Sequence, residues 1–436
     1  MGLLQFLHKI EPDKKKSPFL HTLYDGFFTF AYAPNSVTKS GTHIKDGMDL
    51  KRTMFMVVIA LQLAYAFGSY NIGHQHFAAL GLHESFLSGF HLKLTYGLMK
   101  LIPIFLVSNI VGLGIEFIYA AKKGHPIEEG YLVSGALIPL IMPPDLPMWI
   151  LAVSIIFAVV IGKEAFGGTG MNIMNIALLS RVFVFFAYPT YISGDEVWVS
   201  GIMKEGTEYV GASYGMIHGM FDWIFSGVGW STFGEGGMAV ADGFTGATPL
   251  GLAAKGGWAA VTEVYTPAQM WWGAIPGSIG EMPKLFILAG AFLLIITKIA
   301  SWRIMLSMVL GAIVGGLLIN MWGANLFMEV PWYYHFYMGS FFFAMAFMAT
   351  DPVTASRTET GKWIYGFLIG IVGMVIRVLN PAYPEGWMLA ILFMNVFAPL
   401  IDYYVLEANV ARRLARAKAK PETVVEAEPQ MSVSEH

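Results

Sequence analysis

The residues with the clearest chemical potential lie in one stretch, Asp242-Gly243-Phe244-Thr245-Gly246-Ala247-Thr248-Pro249-Leu250. Two threonine hydroxyls stand three residues apart on a backbone loosened by two glycines. Pro249 biases Thr248 toward an extended conformation. A hydroxyl on so adaptable a segment is the group through which this stretch could do chemistry. The competing reading is a Gly/Thr-rich turn with no chemistry of its own.

A second candidate is Gly162-Lys163-Glu164-Ala165-Phe166-Gly167-Gly168-Thr169-Gly170. Its glycines permit close backbone approach to a flat ligand and expose amide donors. A helix–helix turn packed through small residues accounts for the same pattern. No strand precedes it, so it is not a dinucleotide-binding fingerprint. Glu116, Asp351 and Asp402 lie within or beside apolar runs, where a carboxylate is costly and marks an ion path by default. Helix-end capping is the plainer account of all three, and Asp351-Pro352 in particular reads as a helix stop. His74, His76, His83 and His91 read as interfacial residues of an outer loop, too loosely spaced to hold a metal. Phe341-Phe342-Phe343 and Trp271-Trp272 read as lipid-facing or belt aromatics.

These groups need elements to carry them, and the composition says which. Among 436 residues, 56% are hydrophobic and 13% charged, with mean hydropathy +0.57. Soluble domains carry roughly 25% charged residues, so this chain cannot cover itself in water. A soluble enzyme, a disordered chain and a nucleic-acid binder are excluded, and the net charge of −3 offers no polyanion footprint. Zero cysteines exclude disulfides, thiol nucleophiles and Cys-ligated iron–sulfur clusters.

The pattern predicts an all-α polytopic membrane protein with about ten spans, near 53–72, 94–120, 127–142, 147–162, 170–189, 284–299, 303–322, 334–350, 361–380 and 386–408. The breaker run Met142-Pro143-Pro144-Asp145 separates two short spans that read as tilted or partly re-entrant. Of the 27 Lys and Arg, twenty fall on the side of the N-terminus, four on the other, and Lys100, Arg181 and Arg377 inside spans. That asymmetry places both termini in the cytoplasm.

The chain divides into a cytoplasmic arm (1–52), a first membrane half (53–189), an extracytoplasmic Gly/Trp-rich segment (190–283), a second membrane half (284–408) and a charged cytoplasmic tail (409–436). A connection as long as 190–283 ordinarily carries function. The arm shows no cleavable signal.

The nonapeptide resembles a flavinylation motif, Asp-Gly-x-Ser/Thr-x-Ala-Thr. The likeness extends to Val37-Thr38-Lys39, Asp49-Leu50-Lys51-Arg52, Phe166 to Asn172, Phe186-Ala187-Tyr188-Pro189, Ala349-Thr350-Asp351-Pro352-Val353 and Asn395 to Asp402. Together these resemble the B subunit of bacterial sodium-translocating NADH:quinone oxidoreductases. The paralogous D subunit of Rnf complexes shares the core and the motif, but lacks such an arm.

The resemblance implies covalent FMN on the Thr248 oxygen, attached by a flavin transferase that recognises Asp242, Gly243, Thr245, Gly246 and Ala247. It also implies a non-covalent riboflavin, a quinone site touching Phe166, Gly167 and Gly168, and a five-plus-five inverted repeat akin to urea and ammonium channels. The implied setting is a six-subunit complex of the bacterial inner membrane. Its partners include an FAD/Fe–S NADH dehydrogenase subunit and a second FMN-bearing subunit, and electron flow to quinone drives Na+. Two alternatives stay open: the Rnf D subunit, and a urea/ammonium-type channel with no redox role.

Overall fold

The computed structural model describes residues 50–82, 84–123, 130–194, 197–201, 246–282, 284–380 and 385–419, with 10–12, 17, 20–21, 24, 28 and 40–41. Every regular element among the described residues is helical. In the first half α1 (Leu50–Ala79) and α2 (Phe90–Lys123) are long, α3 (Tyr131–Ile141) is short, and α4 (Met148–Gly162) and α5 (Ile176–Ala187) follow. A peripheral pair, α6 (Pro249–Val264) and α7 (Pro267–Trp272), leads into the second half. There α8 (Lys284–Ile296), α9 (Trp302–Trp322), α10 (Tyr334–Tyr337), α11 (Phe341–Phe343, continuing as a π-turn over Ala344–Met348), α12 (Glu359–Leu379) and α13 (Trp387–Ala419) complete the chain.

Among the described residues six helices are long and apolar enough to cross a bilayer: α1, α2, α4, α9, α12 and α13. Shorter apolar helices, α3, α5 and α8, pack among them. The protein is therefore a polytopic helical membrane protein.

Small residues set how closely the long helices approach. At the α9–α12 contact a Cβ on Gly311 would lie 2.1 Å from the Phe367 carbonyl oxygen, and one on Gly370 would lie 2.4 Å from that of Met308. Lipid supplies no hydrophobic drive between helices, so backbone proximity and dispersion hold such pairs. The α1–α2 contact repeats the device: a Cβ on Gly97 would meet the Ser69 carbonyl oxygen at 1.6 Å.

Both halves contain a short helix that stops inside the protein. Helix α3 ends at Met142 in extended backbone before Pro143-Pro144. The 334–350 run is not one span, as its even hydrophobicity suggests, but α10, a turn at Gly339 (φ +79°), then α11 with its π-turn. Broken backbone at membrane depth must find partners inside the protein. Arginine supplies them in both halves. Arg181 on α5 donates from Nη1 to the Ile141 carbonyl at 2.5 Å. Arg377 on α12 donates from Nη1 to the His335 and Met338 carbonyls at 2.6 and 2.9 Å. Each guanidinium also lies over an indole, Trp198 and Trp387 respectively.

Three local expectations are corrected. His74 and His76 belong to helix α1 rather than to an outer loop, because α2 packs over that polar turn and buries both. Phe341 and Phe343 face the core instead of lipid, since the turn at Gly339 rotates them inward. The 170–189 run becomes helical only at Ile176, where Asn175 caps α5 by accepting from the Leu178 amide at 3.2 Å. Helix α13 runs on to Ala419, so the first turns of the charged tail are helical.

Candidate redox sites at the two ends of the bundle

The two sequence candidates lie at opposite ends. Arg303 and Glu359, at the starts of α9 and α12, pair at 2.6 Å and mark one end. Lys163 and Glu116, at the end of α4 and near the end of α2, also pair there. The basic asymmetry predicts this end to be the inner one. Thr248 belongs to the other, where a Cβ on Gly257 of α6 would lie 2.9 Å from the carbonyl oxygen of Leu326, just beyond α9.

At that outer end Thr248 is the N-cap of α6, with extended φ/ψ (−72°, 152°) and Pro249 at the first helical position. Its Oγ1 accepts from the Gly251 amide at 3.1 Å. Gly257 (φ +68°) kinks α6 into two pieces, and the Tyr265 hydroxyl at the end of the second donates to the Ala247 carbonyl at 2.9 Å, folding that piece back on the motif. Gly246 sits at φ +55°, in the left-handed region that favours glycine. A phosphoryl group on Oγ1 would lie at a helix N-terminus, where orphan amides and the helix dipole favour an anion. The residues therefore fit a phosphoester-linked cofactor. Asp242, Gly243 and Thr245 lie outside the described residues.

At the inner end Lys163 terminates α4, and the chain folds around its carbonyl. The amides of Phe166 and Gly168 both donate to it, at 3.2 and 3.1 Å. Gly167, Gly168 and Gly170 hold φ of 121°, 104° and 84°, values an L side chain adopts only with strain. Nothing lies within 4 Å of a Cβ built on Gly168 or Gly170. Those positions border open space and are not packed small-residue contacts. Phe166 beside them is half exposed.

Behind the loop a cavity of about 80 Å³ opens between the two halves, lined among others by Ser134, Lys163, Gly170, Asn175, Thr350 and Asp351. Leu137, Ile176, Leu294 and Phe347 form apolar walls. Apolar faces with a polar edge suit a flat heteroaromatic ring.

The three carboxylates proposed from sequence do different work. Asp351 accepts from Asn175 Nδ2 (3.2 Å) and Thr354 Oγ1 (3.1 Å) on Oδ2, and from the Val353 amide (3.0 Å) on Oδ1. It closes the broken helix and faces the cavity. Asp402 on α13 accepts from Ser356 Oγ (2.6 Å), the Arg357 amide (2.8 Å), the Thr358 amide (3.0 Å) and Thr358 Oγ1 (2.6 Å). It thus caps the start of α12 from a neighbouring helix. Glu116 is buried against Lys163.

One structural cluster has no counterpart among the sequence candidates. Asp145, in the first break, accepts from Lys100 Nζ (2.7 Å), Ser200 Oγ (3.0 Å) and the Gly201 amide (2.8 Å). A lysine inside an apolar run is itself the signal that an acid must be found for it. Among the described residues no group of three or more His, Asp or Glu is arranged to hold a metal.

Two sets of helices, each with an arginine-capped break, and polar candidate sites at opposite ends define a polytopic integral membrane protein. The family follows from comparison. Residues 37–411 match the NQR2, RnfD, RnfE family, and the chain belongs to it. It is 42% identical to the B subunit of the Na(+)-translocating NADH-quinone reductase of Chromohalobacter salexigens, over 96% of this chain and 98% of that protein. It is 40% identical to the subunit of the same name from Klebsiella pneumoniae, over 95% and 100% of the two chains. For Haemophilus influenzae the figure is 39%, over 95% and 99%.

Proposed function

We propose that this chain is the B subunit of a sodium-translocating NADH:quinone reductase, an oxidoreductase complex of the bacterial inner membrane. In this reading it carries FMN on Thr248 and a riboflavin, and it hands electrons to quinone. Relatives of near-identical length that bear the B-subunit name favour this over the Rnf D subunit, and membership of their family weighs against a channel without redox chemistry.

The observation that carries the site assignment is Thr248 as a helix N-cap. It sets the hydroxyl where an attached phosphate meets the Gly251 amide, and Tyr265 steadies the backbone behind it. Bound flavins supply one- and two-electron transfer. The chain's own residues separate the sites, set their polarity and exclude water. In this reading the ring of the riboflavin lies against the inner cavity, whose apolar walls and the amide and hydroxyl groups of Ser134, Asn175 and Thr350 support the assignment. The quinone head group is assigned to the rim formed by Phe166, Gly167 and Gly168, whose amides and open space admit a flat ring.

In this reading NADH, FAD and iron–sulfur chemistry belong to partner subunits, since this chain offers neither cysteine to ligate a cluster nor a dinucleotide-binding fingerprint. A second FMN-bearing partner would, in the same reading, supply electrons to the flavin held on Thr248, and a flavin transferase would form the phosphoester. Sodium transfer accompanies electron flow through the broken helices, whose polar linings make them the passable part of the bundle.

Peptide mass spectrometry of protein made with the transferase present tests the central assignment. An FMN adduct on Thr248 is expected. An adduct on Thr245, or none within 242–250, overturns it.

A further inference from the structure

Lys163 is a buried ammonium to which electron transfer alone gives no task. Glu116 is its ion-pair partner, and both side chains are about 95% shielded from solvent, at 4% and 6% exposure. Only one carboxylate oxygen is engaged: Glu116 Oε2 is buried without a hydrogen-bond partner among the described residues. The same lysine lines the inner cavity, and its carbonyl anchors the amides of Phe166 and Gly168 in the glycine loop. The next residue, Glu164, reaches the surface pair with half-exposed Lys123 at 3.4 Å. One residue thus joins the loop and the cavity, next in sequence to an ion pair at the inner surface.

We propose that Lys163 is the proton donor for the quinone reduced at the glycine loop, with Glu116 as the group that positions it and balances its charge. The proposal rests on the assignment of quinone to that loop. Reduction of a quinone to a quinol consumes two electrons and two protons. The electrons come from NADH through the flavins. For the first proton an Nζ–H bond of Lys163 breaks and an O–H bond forms on a quinone carbonyl oxygen, leaving a neutral amine beside the Glu116 carboxylate. Water at the inner surface, through Glu164, restores the ammonium, and water at the loop mouth supplies the second proton.

Asp351 faces the same cavity but is a poorer source. Both its oxygens are already engaged as acceptors by Asn175, Val353 and Thr354 in the turn that closes the broken helix, which ties the carboxyl group to that turn. Lys163 carries three N–H donors on a flexible stem, and its ammonium can lose a proton where a guanidinium cannot.

That difference makes the test. Lys163→Arg keeps a cation beside Glu116 but removes a usable proton, whereas a purely structural ion pair survives it. In the assembled complex, Lys163→Arg and Lys163→Met should both slow quinone reduction, measured per bound flavin, by tenfold or more. NADH oxidation with an artificial acceptor, which draws electrons before they reach this chain, should stay at wild-type level. Stopped-flow proton uptake, followed with a pH indicator during a single turnover, should lag electron arrival in both variants and coincide with it in the wild type.

Wild-type quinone kinetics and proton uptake in Lys163→Arg overturn the proposal and leave Lys163 structural. Slowing of flavin reduction rather than quinone reduction also overturns it. The underlying site reading is checked separately by Gly168→Val: a raised quinone KM there, with unimpaired Lys163→Arg, keeps the site and removes the proton role. An unchanged KM in Gly168→Val removes the site and the proposal with it.

Discussion

The Lys100–Asp145 pair should prove energetically coupled, because it is the one ion pair among the described residues that fastens a helix interior to the first break. Lys100 Nζ lies 2.7 Å from Asp145 Oδ1, and the lysine side chain is fully shielded. Removing one member of a buried pair costs on the order of 3–5 kcal/mol, since the other charge is stranded. Here Asp145 keeps the Ser200 hydroxyl and the Gly201 amide. Hydrogen bonds to a charged acceptor are worth roughly 1.5–3 kcal/mol each, so they hold the stranded carboxylate in part. Lys100→Met should therefore destabilise by about 2–3 kcal/mol.

In Lys100→Met/Asp145→Asn neither charge remains, and the asparagine oxygen still accepts from Gly201. That double variant should be less destabilised than the sum of its parents by at least ~1 kcal/mol, well above the ~0.5 kcal/mol scatter of independent sites. Equilibrium unfolding in mixed micelles, followed by tryptophan fluorescence, measures all four corners of the cycle. Additive single effects, or a Lys100→Met protein as stable as the wild type, would refute the electrostatic account of this break.

Four further outcomes follow from the same geometry. Gly370→Ala places a Cβ 2.4 Å from the Met308 carbonyl, so α9 and α12 must separate, and the unfolding midpoint should fall by the equivalent of about 1–3 kcal/mol. Asp402→Ala strips the cap from α12 and should cost roughly 2–3 kcal/mol in the same assay, whereas Asp402→Asn, which can still accept, should lose about half of that. A cysteine at exposed position 255 in this cysteine-free chain should react with an impermeant reagent added outside intact cells, and one at exposed position 298 only after membrane disruption; the reverse labelling inverts the topology. Gly167→Val, at a backbone φ of 121°, should raise the quinone KM while leaving flavin content intact, as measured by quinone titration and fluorescence of the denatured polypeptide.

Much of the architecture is readable because lipid enforces a simple code. Long apolar runs have to be helices, and α1, α2, α9, α12 and α13 begin or end near where hydropathy changes. Met142-Pro143-Pro144-Asp145 announces the first break, because two prolines cannot continue a helix. The second break gives no such warning. Phe341 to Ala349 is uniformly apolar with neither Gly nor Pro, and only the neighbouring turn at Gly339 and the Arg377 contacts turn it into a short helix with a π-turn. The polar run from Gly73 to His76 misleads in the opposite direction. It reads as a loop by composition, yet α1 continues through it and α2 buries it, with Lys93 Nζ 3.0 Å from His74 Nδ1 and, one turn earlier, Asn71 Nδ2 donating to the Ile275 carbonyl at 3.1 Å. Of the sites, Thr248 and the glycine loop are legible because each is local in sequence. The Lys100–Asp145 and Glu116–Lys163 pairs join residues 45 and 47 positions apart, and no local pattern encodes such partners.

Buried charge in this bundle falls into fixed and labile groups, and the labile pair lies at the inner end. A helix that stops inside the protein leaves carbonyls without partners, and in both halves a guanidinium meets them. Arginine suits that task because it stays charged and offers several donors in a fixed plane. Such a group braces a break and exchanges nothing. Asp402 is likewise committed, with four donors converging on its two oxygens. The Glu116–Lys163 pair differs in kind. It sits beside a cavity and an open glycine loop, it contains a cation that can release a proton, and its carboxylate retains an unengaged oxygen among the described residues. Fixed charges hold the two broken helices in place, so the labile pair can change its protonation without the bundle coming apart.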